Sequence, residues 1–257
     1  MSDRGPLAGI GVIVTRPARQ AAGLASQLAT LGAAPIVFPA IAILPPADDA
    51  SLARAHAALA SYDAAVFVSA NAAEYGAPGR WPRNVVAYAT GPGTAGALHA
   101  VGVPEVAIPQ TTYDSEGLLA LPALDAVHGK RIAIFRGEGG RDHLADALRA
   151  RGAHVDCIAC YRRARPESGA DGLAEALLQG RAHALTITSS EGLDNLRALV
   201  DGRALEVLRA MPTFVPHPRI EEHARSHGFN AIATPSGDAG LIAGLLEWFA
   251  RSQKPVT

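Results

Sequence analysis

RIAIFRGEGGRDHLADALRARGAHVDCI, residues 131–158, restates in altered form what GVIVTRPARQAAGLASQLATLGAAPIVF sets out at residues 11–38. The offset is 131 − 11 = 120, and in that register Arg16 meets Arg136, Leu24 meets Leu144, Leu28 meets Leu148 and Gly32 meets Gly152. Each copy is a strand-like run ending in an arginine, then leucines at i and i+4 on one helical face, then a glycine where a helix stops. Three kinds of signal recurring in step make the two halves of the chain structural relatives, each organised around a strand, a helix and a second strand.

A looser second unit repeats at the same offset. AAVFVSANAAEY around Ser69 corresponds to ALTITSSEGLDNL around Ser189, each a strand-like run that ends in small polar residues able to cap a helix. VAIPQTTYDSEGLLALPAL likewise parallels IATPSGDAGLIAGLLEWF. The 257 residues exceed one typical domain, so two domains are expected. A hydrophobic fraction of 49% with only 5% aromatics gives cores of Ala, Val, Leu and Ile, suited to buried parallel strands between Ala-rich helices. The class is α/β. PIVFPAIAILPP (35–46) and HVDCIACYRRARP (154–166) are longer than one sheet strand needs and end in proline, as if each crosses between domains. Two crossings would make one domain an insertion in the other.

The formal net charge is −1 with no block of like charge, so no electrostatic footprint for nucleic acid or an anionic membrane is visible. The N-terminus has no long apolar segment with a cleavage site, and no run of 18 apolar residues occurs, so a cytoplasmic protein is expected. Cys157 and Cys160 form a C-x-x-C, but within VDCIACY, which reads as extended chain. Side chains three apart on a strand face opposite ways, so buried thiols are expected rather than a disulfide or shared metal. His223 and His227 have the i, i+4 spacing of a zinc pair, yet no third ligand stands nearby in sequence, and His227 beside Gly228 suits a helix C-terminus, so no metal is expected.

Residues 88–96, YATGPGTAG, place Gly91, Gly93 and Gly96 as G-x-G-x-x-G after an apolar run. A dinucleotide fingerprint also wants an acid at the end of the next strand, and VAIPQ ends in Gln110 and Thr111. Pro92 removes an N–H that would face a phosphate. These glycines are therefore expected to permit a tight strand-to-helix turn and close approach of some other ligand. A nucleotide-dependent oxidoreductase stays as an alternative.

The order and spacing of VTRP (14–17), FPAIAI (38–43), FVSANA (67–72), ATGPGTAGAL (89–98), YDSEGLL (113–119), RIAIFRGEGGRDHLADALRARGAHV (131–155), YRR (161–163) and PHPRI (216–220) resemble the uroporphyrinogen-III synthase family over nearly the whole chain. The resemblance implies two doubly wound parallel-sheet domains of similar fold, joined by a two-stranded ladder, with a cleft between them. Residues 1–38 and 167–257 would form one domain, 47–156 the inserted one, and 39–46 and 157–166 the connectors. It implies cyclisation of the linear tetrapyrrole hydroxymethylbilane, with loss of the hydroxyl and inversion of ring D, and no metal or organic cofactor. A monomer is expected, since no heptad or exposed seam argues otherwise.

That substrate carries eight carboxylates, and a parallel architecture turns strand ends and helix N-termini toward the ligand. Candidate contacts are Ser69, Ala70 and Asn71, Gly93, Gly137 and Gly139, Ser189 and Ser190, and Pro218 with Arg219, although Ser and Asn at helix starts also serve simply as caps. Arg16 and Arg136 end equivalent strands, where a guanidinium could grip a carboxylate or instead form a salt bridge. By the resemblance, Tyr161 is the candidate general acid; its phenol is protonated at neutral pH without tuning. Thr94 matches a family threonine that contacts substrate, or else it caps its helix. Its companion in the second half is missing, with His217 or Arg219 in its place, which favours catalysis by positioning. A hinged binding protein for an anionic metabolite is the other reading the sequence allows.

Overall fold

Strands occupy the runs of Ala, Val, Ile and Phe: β1 (Gly11–Val14), β2 (Ala34–Val37), β3 (Ala42–Leu44), β4 (Ala64–Phe67), β5 (Val86–Ala89), β6 (Val106–Ala107), β7 (Arg131–Gly137), β8 (His154–Ala164), β9 (Ala184–Thr186), β10 (Pro212–Val215) and β11 (Asn230–Ala233). The computed structural model describes residues 5–252. Helices alternate with these strands, and the chain divides into two compact units, one made of residues up to Ala42 and from Ala164 onward, the other of Ile43–Arg163.

In the first unit a five-stranded sheet has the order β11-β10-β9-β1-β2, and its paired strands run parallel. The side chains of β1 alternate: Ile13 packs with Leu185, Ile187 and the helices Ser190–Leu199 and Pro218–Ser226, while Val12 and Val14 pack with Phe214 and the helices Ala18–Thr30 and Gly237–Ser252. Helices thus cover both faces, which is why these strands are apolar throughout rather than at every second position.

The second unit carries a six-stranded sheet of order β3-β8-β7-β4-β5-β6. One face packs Ala65, Phe67, Phe135 and Ile158 against the helices Ala50–Ala58, Ala70–Gly76 and Pro92–Ala100. The other packs Val66, Ile132 and Ile134 against Leu118, Leu124, Leu144 and Leu148.

The 120-residue repeat is reproduced down to strand register. Val14 lies opposite Val37 and Thr186 in the first sheet, and Ile134 lies opposite Cys157 and Val66 in the second. In both sheets the strand that leads into the repeated arginine is an interior one, flanked by the strand that follows it through a helix and by the strand that ends near a capping serine. The repeated leucines are buried, and the repeated Gly32 and Gly152 hold φ of +86° and +85° just past their helices, a left-handed conformation that favours glycine. Residues 35–46 contribute to both sheets, β2 to the five-stranded one and β3 to the six-stranded one. Residues 35–46 are not a single extended strand: β2 and β3 are separated at Phe38–Ile41, where Pro39 cannot donate to a ladder.

Candidate active site

In a doubly wound sheet the ligand crevice lies beyond the carboxyl ends of the strands, where strand order reverses. In the second unit that point falls between β4 and β7. A cavity of about 340 Å³ opens there, and Ser69, Arg136, Gly137, Gly139 and Tyr161 all line it. Five sequence-predicted residues from three segments of chain are therefore brought together by one reversal of strand order.

Tyr161 reaches this wall through an irregularity in β8. Arg136 pairs with Ala159, but Gly137 pairs with Tyr161, so one extra residue, Cys160, is accommodated in β8. The bulge breaks the alternation of faces: Ile158, Cys160 and Tyr161 all join the same core layer, although 160 and 161 are consecutive. Tyr161 is only 4% exposed, and its Oη lies 3.2 Å from Ser69 Oγ. Ser69 Oγ also accepts the Ala72 N–H at 3.0 Å, as N-cap of the helix Ala70–Gly76. The two hydroxyls form a coupled pair on the cavity wall, able to hand a proton to a group bound in front of them. Gly137 makes room for the ring: a Cβ there would stand 2.8 Å from Tyr161 Cζ and 3.1 Å from its Oη. Behind it, burial pushes the Cys160 thiol up to about 12, which rules it out as a nucleophile near neutral pH. Cys157 lies on the other face of β8 and is half-buried rather than buried; both thiols are free.

Arg136 is not an open grip. Its Nη1 donates to Gly140 O (3.0 Å), Arg141 O (3.1 Å) and Asp142 Oδ1 (2.8 Å), so the guanidinium organises the loop that leads into the helix His143–Ala150. Glu138 in that loop is held by the Ala47 N–H at 2.6 Å. Arg141 and Arg163, which were not singled out from sequence, also line the cavity. The lining thus gathers the guanidiniums of Arg136, Arg141 and Arg163 with the Glu138 carboxylate, Arg136 being paired with Asp142, a set of side chains whose chemistry suits carboxylate-bearing ligands. Arg163 stands two residues after Tyr161, a same-face spacing on a strand that could have pointed to it.

Other candidates stand apart from this cavity. Asn71 opens the same helix as Ser69, and Gly93 and Thr94 lie in the first turn of Pro92–Ala100. Thr94 is buried, 3.3 Å from the Thr90 hydroxyl, and the cap is Gly91 rather than Thr94. The three glycines differ in what surrounds them. None has positive φ, Gly93 and Gly96 are ordinary helical residues with open space at Cβ, and only Gly91 is required sterically, its Cβ position lying 2.8 Å from Tyr113 Cβ.

The first unit repeats the arrangement at its own reversal of strand order, between β1 and β9. Ser189 caps the helix Ser190–Leu199 by accepting the Gly192 N–H at 3.0 Å, as Ser69 does. Arg16 is paired with Asp238 in the first turn of Gly237–Ser252, the counterpart of Arg136 with Asp142. The helix Pro218–Ser226 is capped by His217, whose Nδ1 accepts the Arg219 N–H at 3.1 Å, so neither Pro218 nor the Arg219 amide offers a ligand an open N–H.

The family model described as "Uroporphyrinogen-III synthase HemD" matches residues 22–242. The chain belongs to the uroporphyrinogen-III synthase family. It is 36% identical to the uroporphyrinogen-III synthase of Escherichia coli (strain K12) over 200 residues, covering 74% of this chain and 80% of that one. It is 32% identical to the uroporphyrinogen-III synthase of Synechococcus elongatus over 203 residues, covering 76% of each. Among solved structures, a mutant uroporphyrinogen III synthase of the extremely thermophilic bacterium Thermus thermophilus aligns with a TM-score of 0.56 at 21% identity, over 95% of this chain and all of that one. The Helicobacter pylori 26695 enzyme aligns with a TM-score of 0.56 at 14% identity, over 92% and 98%. At those identities the solved structures show the shared fold, with its mixed α/β class and parallel sheets. Among the described residues no helix is long and apolar enough to cross a membrane.

Proposed function

We propose that this chain is a uroporphyrinogen-III synthase that closes hydroxymethylbilane to uroporphyrinogen III without a cofactor. The pyrrole nitrogen lone pair expels the terminal hydroxyl, which leaves as water with a proton drawn from the Tyr161–Ser69 hydroxyl pair. The exposed methylene bonds to the already substituted α-carbon of ring D, giving a spiro intermediate; the bond from that carbon to its original bridging methylene breaks, and the released methylene bonds to the free α-carbon of ring D, leaving the ring inverted. The proton lost from this last carbon restores the balance. General acid help is worth roughly 10² to 10⁴ in rate, and the lone pair already drives the departure, so the larger share of catalysis is ascribed to holding a flexible chain in the closing geometry.

The observation that carries this reading is the arginine-lined cavity with a phenol and a serine hydroxyl in its wall, in a chain of this family. Its volume is near the lower end of small-molecule sites, so it is assigned to part of the tetrapyrrole. The remainder is assigned to the strand ends of the first unit at Arg16, Ser189 and Ser190. We read the protein as a cytoplasmic monomer. The test is the product isomer: purified protein with hydroxymethylbilane yields type III uroporphyrinogen, whereas spontaneous closure, and a protein that only binds, yield type I.

A further inference from the structure

His223 and His227 lack a third metal ligand in the nearby sequence, but the fold supplies one from the helix Ser190–Leu199. A ligand atom from each of Asp194, His223 and His227 lies within 4.8 Å of the other two. We propose that these three residues form a site for a divalent transition metal of the zinc type, joining the helices Ser190–Leu199 and Pro218–Ser226.

At His227 the proton placement is already suited to it. His227 Nδ1 lies 2.8 Å from His223 O, and a carbonyl can only accept, so Nδ1 carries the proton and the neutral ring keeps its lone pair on Nε2. An imidazole whose other nitrogen donates to a backbone carbonyl is the usual outer-shell support of a metal-bound histidine. Asp194 Oδ1 accepts from His223 Nε2 at 2.9 Å, so carboxylate and imidazole already face one another, and a metal entering between them displaces the proton on Nε2.

Two imidazoles with one carboxylate suit zinc, whereas calcium and magnesium want oxygen donors. Ligands at zinc distances stand about 3.3 Å apart in a tetrahedron, so the set must close by roughly 1.5 Å at most. The side chains of Asp194 and His223 are 49% and 29% exposed, which leaves room for that movement. A fourth position stays open to water. Arg197 Nη1 shares Asp194 Oδ1 at 3.3 Å, and it opposes the incoming cation. The proposal does not depend on the reaction assigned above.

The experiment is zinc titration of the tag-free, chelator-stripped full chain by calorimetry, with thermal unfolding alongside. One zinc per chain and a rise in Tm are expected, with affinity reduced at least tenfold in His227→Gln and in Asp194→Asn. Zinc that binds both variants as well as the parent, or a parent that takes up no zinc, overturns the proposal.

Discussion

Tyr161 Oη lies 3.2 Å from Ser69 Oγ, and Ser69 Oγ is itself fixed by the Ala72 N–H at 3.0 Å. The phenol is thereby oriented by a helix cap. Tyr161→Phe keeps the ring in its core layer and removes only the oxygen, so folding should be retained. Turnover is expected to fall roughly tenfold or more, short of the full range for a general acid. Ser69→Ala should lower kcat less, and should lower Tm by the loss of a cap worth about 1 kcal/mol. Steady-state kinetics on hydroxymethylbilane check both, and an unchanged kcat in Tyr161→Phe removes its role.

Gly137 tests whether the position of the ring matters apart from its chemistry. Its backbone is ordinary extended chain, so alanine brings no φ strain, yet its Cβ would press on Tyr161 Cζ at 2.8 Å. Overpacking of this kind costs about 1 to 3 kcal/mol. The expected outcome for Gly137→Ala is a modest fall in Tm with a disproportionate fall in kcat, read by parallel unfolding and rate measurements.

Much of this arrangement is legible in sequence because it rests on local periodicity. The strand-ending arginines, the leucine pairs, the terminal glycines and the serine caps are all set within a few residues, and the two copies reinforce each other. The illegible parts depend on distant partners. Arg16 meets Asp238 across 222 positions of chain. The one-residue slip that turns Tyr161 onto the layer of Cys160 is defined only by pairing with β7. Thr94 reads as a substrate contact or a helix cap, whereas Gly91 holds the cap position and the packing of that helix buries Thr94 beside Thr90.

Arg136 separates two roles that sequence left open. If it grips substrate directly, Asp142→Asn should free it and leave KM unchanged or lower. Its three bonds to Gly140 O, Arg141 O and Asp142 argue instead that it shapes the loop presenting Gly139 and Arg141. Both Arg136→Gln and Asp142→Asn are then expected to raise KM several-fold. A lowered KM in Asp142→Asn would return Arg136 to direct binding.

Cys160 gives the fold a pH signature at the alkaline end. Burial raises its thiol from the ordinary value of 9.0 to about 12, so the unfolded chain releases this proton before the native one does. Between about pH 9 and pH 12 the unfolded state binds fewer protons, and stability falls as pH rises by up to about 1.4 kcal/mol per unit from this group. Below pH 9 the thiol is protonated in both states and contributes no slope. Denaturant unfolding from pH 8 to 10.5 should show this loss, with a shallower slope in Cys160→Ala, whose overall stability is lower through the vacated core volume. Tyr62, pushed up to about 12 by burial and its hydrogen bond to Asp156, adds a slope of the same sign from about pH 10, which persists in the variant. Equal slopes in the two proteins between pH 9 and 10 would mean that the native thiol ionises as readily as the unfolded one.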